Sequence, residues 1–158
     1  MALIVEDGSL VANANSYITL AEYKAWADAR GLTYSADDAT VEQQILRAMD
    51  YLERIAYIGN KANENQFLQW PRTEAQIDGY YADATEIPKE VKTATYEATK
   101  VQADGYSQFE VESRKTKSES IGDISVVYAD NAENRTITPA LTFALSKIIQ
   151  PVGMVSRV

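Results

Sequence analysis

The chain has 158 residues, 46% of them apolar, with 15 basic and 23 acidic side chains for a formal charge of −8. That length suits one domain able to hide about two thirds of its extended surface. Cysteine and histidine are both absent, which excludes thiol nucleophiles, disulfides, Cys/His zinc clusters and every Ser-His or Cys-His relay.

The opening Met1-Ala2-Leu3-Ile4-Val5-Glu6-Asp7 has no basic start, and no stretch approaches the roughly 20 apolar residues of a membrane helix. This predicts a soluble, intracellular protein. Turns follow at Asp7-Gly8-Ser9 and Asn13-Ala14-Asn15-Ser16. Thr19-Leu-Ala-Glu22 is a capping box, which predicts a first helix with Leu20, Tyr23 and Ala27 on one face and Gly31 as its stop. A second, longer helix is expected from about 38 to 57. Val41, Ile45, Ala48, Met49, Leu52 and Ile55 recur there at spacings of three and four, and Gly59 ends it.

Residues 60–87 show little periodicity. Phe67 and Trp70 predict a loop anchored to the core by aromatic rings. Pro88 stands at the expected first position of a third helix, with Ile87, Val91, Ala94, Ala98 and Val101 as its buried face and Gly105 as its close. The period then changes to two. Phe109, Val111 and Ser113, then Ile124, Val126 and Tyr128, alternate with other residues around Gly122-Asp123, which predicts a β-hairpin over about 109–128. Thr138-Pro139 opens a fourth helix with Leu141, Leu145 and Ile148 as its stripe, widened by Phe143, Ala144 and Ile149, and Pro151 ends it. The expected fold is mainly α, about four helices with a hairpin between the third and fourth. It forms one domain over 1–150, followed by an apolar, basic tail at 151–158.

Charge is uneven along the chain. Residues 1–59 hold nine acids and four bases, whereas the last 25 residues hold no acid. The one dense basic cluster is Arg114-Lys115-Thr116-Lys117, a weak track for displacing the counterions of a nucleic acid and equally the mark of an edge strand guarded against pairing. Asp37-Asp38 and Glu6-Asp7 are adjacent carboxylates able in principle to do acid–base work, but their places beside helix starts and turns favour dipole and turn chemistry. Neither a Gly-rich phosphate cradle nor metal-spaced ligands are found, so no catalytic role, metal or cofactor is expected. Trp70 and Arg72 read either as an interface anchor or as an internal loop pin. The hairpin reads either as a cover for the helices or as a strand-adding contact between subunits.

Leu3-Ile4-Val5-Glu6-Asp7-Gly8, Ala14-Asn15-Ser16-Tyr17-Ile18-Thr19, Arg47-Ala48-Met49-Asp50-Tyr51-Leu52, Gln69-Trp70-Pro71-Arg72, Ile87-Pro88-Lys89-Glu90-Val91-Lys92 and Ser120-Ile121-Gly122-Asp123-Ile124-Ser125-Val126 occur in this order. Together they resemble a family of tailed-bacteriophage proteins often labelled DnaT-like single-stranded DNA-binding proteins, and the chain is similar to the head–tail connector, or head-completion adaptor, proteins. The resemblance covers nearly the whole chain. It implies a virion neck subunit that assembles as a ring, typically of about twelve copies, beneath the portal protein and above a tail-side neck or stopper protein. Double-stranded DNA would pass through the ring without being read.

On that reading Pro151, Val152, Met154, Val155, Arg157 and Val158 dock on the portal. Arg114, Lys115, Lys117, Ile121, Ile124, Val126, Tyr128, Trp70 and Arg72 meet neighbouring subunits or the tail side. The rival reading is a single-stranded DNA-binding protein of phage replication, using Arg114, Lys115 and Lys117 for phosphates and Tyr106 and Tyr128 for base stacking. A carboxylate-only hydrolase is the third.

Overall fold

The computed structural model describes residues 2–105, 118–121, 124–127 and 139–150. Its elements in chain order are α1 (Leu20–Asp28), α2 (Asp38–Leu52), β1 (Asn60–Lys61), β2 (Arg72–Thr73), β3 (Gln76–Ile77), β4 (Tyr80–Tyr81), α3 (Lys89–Ala103), β5 (Ser118–Ile121), β6 (Ile124–Val127) and α4 (Pro139–Ser146). The fold is mainly helical, with four helices and a hairpin between the third and fourth, as the residue periods predict.

α1 begins at the capping box. The Thr19 hydroxyl accepts from the Glu22 N–H at 3.1 Å, and the Glu22 carboxylate accepts from the Thr19 N–H at 2.6 Å. Asp37 caps α2 by accepting from the Thr40 N–H, so this acid serves a helix start. α3 packs against both α2 and α4. Two helix contacts explain why Thr95 and Thr99 are buried beside the expected Val91, Ala94, Ala98 and Val101. Each threonine hydroxyl donates to the carbonyl four residues earlier, which satisfies it without an outside partner.

The core also takes in Tyr17, Ile18, Tyr23, Ile45, Leu52, Tyr57, Trp70, Leu141, Leu145 and Ile148. Among the described residues no helix is long and apolar enough to cross a membrane.

Several details differ from the sequence reading. α2 stops at Leu52, five residues early. The Tyr57 hydroxyl donates to the Leu52 carbonyl at 3.0 Å, and Tyr57 pairs with Ile149 in an antiparallel bridge. The chain after Leu52 therefore satisfies the C-terminus of α4 rather than extending α2. Pro88 is the residue before α3, not its first.

Phe67 is 56% exposed and anchors nothing; Leu68 and Trp70 do. Phe143, expected to widen the buried stripe of α4, is 74% exposed, because α4 is buried only along Leu141 and Leu145.

The 60–87 loop also holds two small antiparallel pairs. β1 pairs with β2 (Asn60↔Thr73, Lys61↔Arg72), and β3 pairs with β4 (Gln76↔Tyr81, Ile77↔Tyr80). β5 pairs with β6 in the register Ile121↔Ile124. Gly122 and Asp123, where the sequence predicts the reversal, lie outside the described residues. The outer parts of the expected 109–128 hairpin lie outside the described residues.

Candidate interaction surfaces

The corner at Gln69-Trp70-Pro71-Arg72 is built from the inside. Trp70 is fully buried, with its ring edge-on to Tyr57 at 5.9 Å, and a cis peptide joins it to Pro71. The Trp70 backbone N–H donates to the Tyr17 hydroxyl at 3.0 Å, which itself donates to Glu53 Oε1 at 2.6 Å. Glu53 Oε2 accepts from the Gln69 N–H at 2.8 Å. Burial raises the Glu53 carboxyl above its ordinary range against the pull of these hydrogen bonds, and it raises the Tyr17 phenol with help from Glu53.

Arg72 is 8% exposed. Its Nε donates to the Ile58 carbonyl at 2.8 Å, Nη2 to the Gly59 carbonyl at 2.7 Å, and Nη1 to Gln69 Oε1 at 3.1 Å. The guanidinium fork therefore ties the 58–59 turn to the corner. Trp70 and Arg72 form the internal pin; neither side chain is presented on a surface where a neighbouring subunit could meet it. Sequence reasoning did not anticipate Tyr17 and Glu53 as its other half.

A second aromatic group lies between α1 and α3. Trp26 stacks on Tyr96 at 5.3 Å and on Tyr23 at 6.1 Å, and the Arg30 guanidinium lies over its ring at 4.5 Å. Such a ladder beside a cation has the ingredients of a base-stacking platform. Here the Trp26 ring is already contacted by two aromatic rings and a guanidinium, so the ladder satisfies itself.

Cations of the body are spent in the same way. Residues 2–105 and 139–150 carry 17 acids and ten bases, a net −7. Five of their six lysines lie within 4 Å of a carboxylate: Lys24 of Asp38, Lys89 of Glu90, Lys92 of Glu22, Lys100 of Asp104 and Lys147 of Asp78. Phosphate binding draws on cations able to exchange counterions, and this surface offers few.

Carboxylates here serve the backbone. Glu6 is buried, and its two oxygens accept from the N–H groups of Gly8, Leu10 and Val11, each at 2.9 Å. Asp7 accepts from the Ser9 N–H, and hydrogen bonding from the Ser9 side chain, then its backbone, holds the Asp7 carboxyl below the ordinary range. Among the described residues no group of three or more His, Cys, Asp or Glu could hold a metal ion.

A family model for proteins described as "Putative DnaT-like ssDNA binding protein" matches residues 1–157. The chain belongs to this DnaT-like family. No curated protein and no solved structure matches it.

Of the residues expected at contacts, Ile121, Ile124 and Val126 sit in the paired strands of the β5–β6 hairpin, with Ile121 opposite Ile124 and Val126 opposite Glu119. Arg114, Lys115, Lys117, Tyr128 and Tyr106, and the expected portal-docking residues Pro151, Val152, Met154, Val155, Arg157 and Val158, lie outside the described residues. The surface feature that sequence reasoning missed is an exposed aromatic pair, Tyr80 and Tyr81, on β4. Asp78-Gly79 between Ile77 and Tyr80 signals it, an Asp-Gly pair of the kind that closes a two-residue hairpin. Both residues have positive φ, 52° and 88°.

Proposed function

We propose that this member of the DnaT-like family is a structural subunit of a tailed-bacteriophage neck, a head–tail connector that forms a ring against the portal protein and walls the channel through which double-stranded DNA passes. The observation that carries the reading is the net −7 of the helical body, five of whose six lysines lie within 4 Å of a carboxylate. A wall of this charge lets a polyanion slide, because it neither releases counterions nor holds phosphates. The resemblance carried by the six ordered segments, to a tailed-phage family similar to connector proteins, prompts the same reading.

The chain acts by geometry on this account. It has no catalytic role and needs no cofactor. It is made in the host cytoplasm and carried in the virion, with the portal and a tail-side neck or stopper protein as neighbours and no membrane contact. Electron cryomicroscopy of purified particles, focused on the portal vertex, tests this. A ring whose subunits fit the four-helix body is the expected result, and particles without the chain would sink the proposal.

A second reading, binding of single-stranded DNA in phage replication, is favoured by a different observation. The family description over residues 1–157 names that activity, and it supports this reading more directly than it supports the connector. Arg114, Lys115, Lys117, Tyr106 and Tyr128 would carry the contact. Fluorescence anisotropy with a labelled oligonucleotide separates the two at near-physiological salt. A connector gives no saturable signal, whereas sub-micromolar binding with a steep salt slope selects the second reading.

A further inference from the structure

Three large rings stand out in water on the described surface. Tyr80, Tyr81 and Phe143 are 79%, 72% and 74% exposed. The two tyrosines are consecutive on β4, and Phe143 lies one turn before Lys147, whose ammonium reaches Asp78 in the β3–β4 turn at 2.6 Å. The two tyrosines face an open groove of about 370 Å³ between this hairpin and the start of α3. Tyr80, Tyr81 and Pro88 line it together with Asp78, Asp83 and Glu86. Lys89, also in the lining, has Glu90 at 3.9 Å, so the groove is negative on balance.

Exposed aromatic residues beside a groove mark a place where a partner is seated. The complementary occupant has adaptable apolar side chains, a cation and no acid. Residues 151–158, Pro-Val-Gly-Met-Val-Ser-Arg-Val, meet each requirement, with Arg157 as their only charged side chain. Methionine adapts to irregular aromatic surfaces, and a guanidinium can lie on a tyrosine ring or fork onto a carboxylate. Eight residues, fully extended, span at most roughly 26 Å.

We propose that residues 151–158 of one copy dock in the groove between the β3–β4 hairpin and α3 of an adjacent copy. This placement between copies rests on the ring reading above. A head-to-tail ring needs two different, complementary surfaces on each subunit, and this segment and this groove are such a pair. The segment that the connector resemblance assigns to the portal serves ring closure instead.

The absence of cysteine makes the test direct, because any disulfide must be an introduced one. Full-length chains carrying Tyr81→Cys are mixed with full-length chains carrying Met154→Cys under mild oxidation. The expected result is a mixed disulfide dimer about tenfold above the dimers that each single variant forms alone, since docking raises the local thiol concentration. Adding Glu86→Lys to the groove-side chain lowers that excess several-fold, and pairing it with Arg157→Glu on the other chain restores it. Circular dichroism melts confirm that each variant is folded.

No mixed dimer above the single-variant controls overturns the proposal. So does a chain carrying both cysteines that closes only upon itself, as a fast-migrating monomer on a non-reducing gel. The outcome stays distinct from that of the ring reading. Crosslinking without a ring at the portal vertex removes the ring alone, and a ring without crosslinking removes the pairing alone.

Discussion

Arg72 and Glu53 show how much of this protein's polar chemistry is turned inward. Replacing Arg72 with alanine leaves the Ile58 and Gly59 carbonyls without their donor and should cost about 2–4 kcal/mol by urea denaturation. Arg72→Lys keeps the charge but not the fork, and is expected to recover less than half of that loss. Glu53 gives a signed pH effect. Its carboxyl titrates above the ordinary value in the folded chain, so its contribution is fully present below the unfolded value and is lost as pH rises through the folded one. Relative to Glu53→Gln, whose side chain does not titrate, the unsubstituted protein should therefore gain melting temperature as pH falls from about 7 toward 5. Asp37 and Asp83 have the opposite sense. Hydrogen bonds from Thr40 and Thr85 hold their carboxyls low, and that stabilisation disappears only as pH drops through the depressed values.

At the scale of elements, helices were more legible than the loop between α2 and α3. The Thr19 box, the Asp37 cap and the three-and-four spacing of Val41 to Leu52 are local signals that the structure uses as written. The early end of α2 was not legible, because it depends on Tyr57 meeting Leu52 and Ile149, residues brought together only by folding. Gly59 is part of the same device. Its φ is +71°, and a Cβ there would lie 2.4 Å from the Thr73 carbonyl oxygen and 2.6 Å from the Ala75 nitrogen. Gly59→Ala is expected to cost at least about 2 kcal/mol, read as a lower denaturation midpoint, through both strain and overlap with backbone that has no room to retreat. The β3–β4 hairpin was readable from Asp78-Gly79. Its two-residue strands are too short to show an alternating pattern, so period analysis passes over it.

For the whole molecule, net charge supplies the functional argument. A body at −7 with five of its six lysines paired should show no saturable oligonucleotide binding at physiological salt, and adding magnesium or changing the oligonucleotide sequence should not create it. Composition determined much by itself. The missing cysteine and histidine removed whole classes of chemistry, the residue periods set a mainly helical order with a hairpin before the last helix, and the acidic excess argued against a nucleic-acid track. These properties belong to residue type and local spacing, which survive in the unfolded chain. Tertiary structure decided which side chains face water. It drew Trp70 and Arg72 inward onto Tyr17, Glu53 and two backbone carbonyls, and it left Phe143 in water and Tyr80 and Tyr81 on an acidic groove. No period in the sequence encodes that choice, because burial of a ring or a guanidinium depends on partners 13 to 53 residues away along the chain, and only the packed fold brings them within reach.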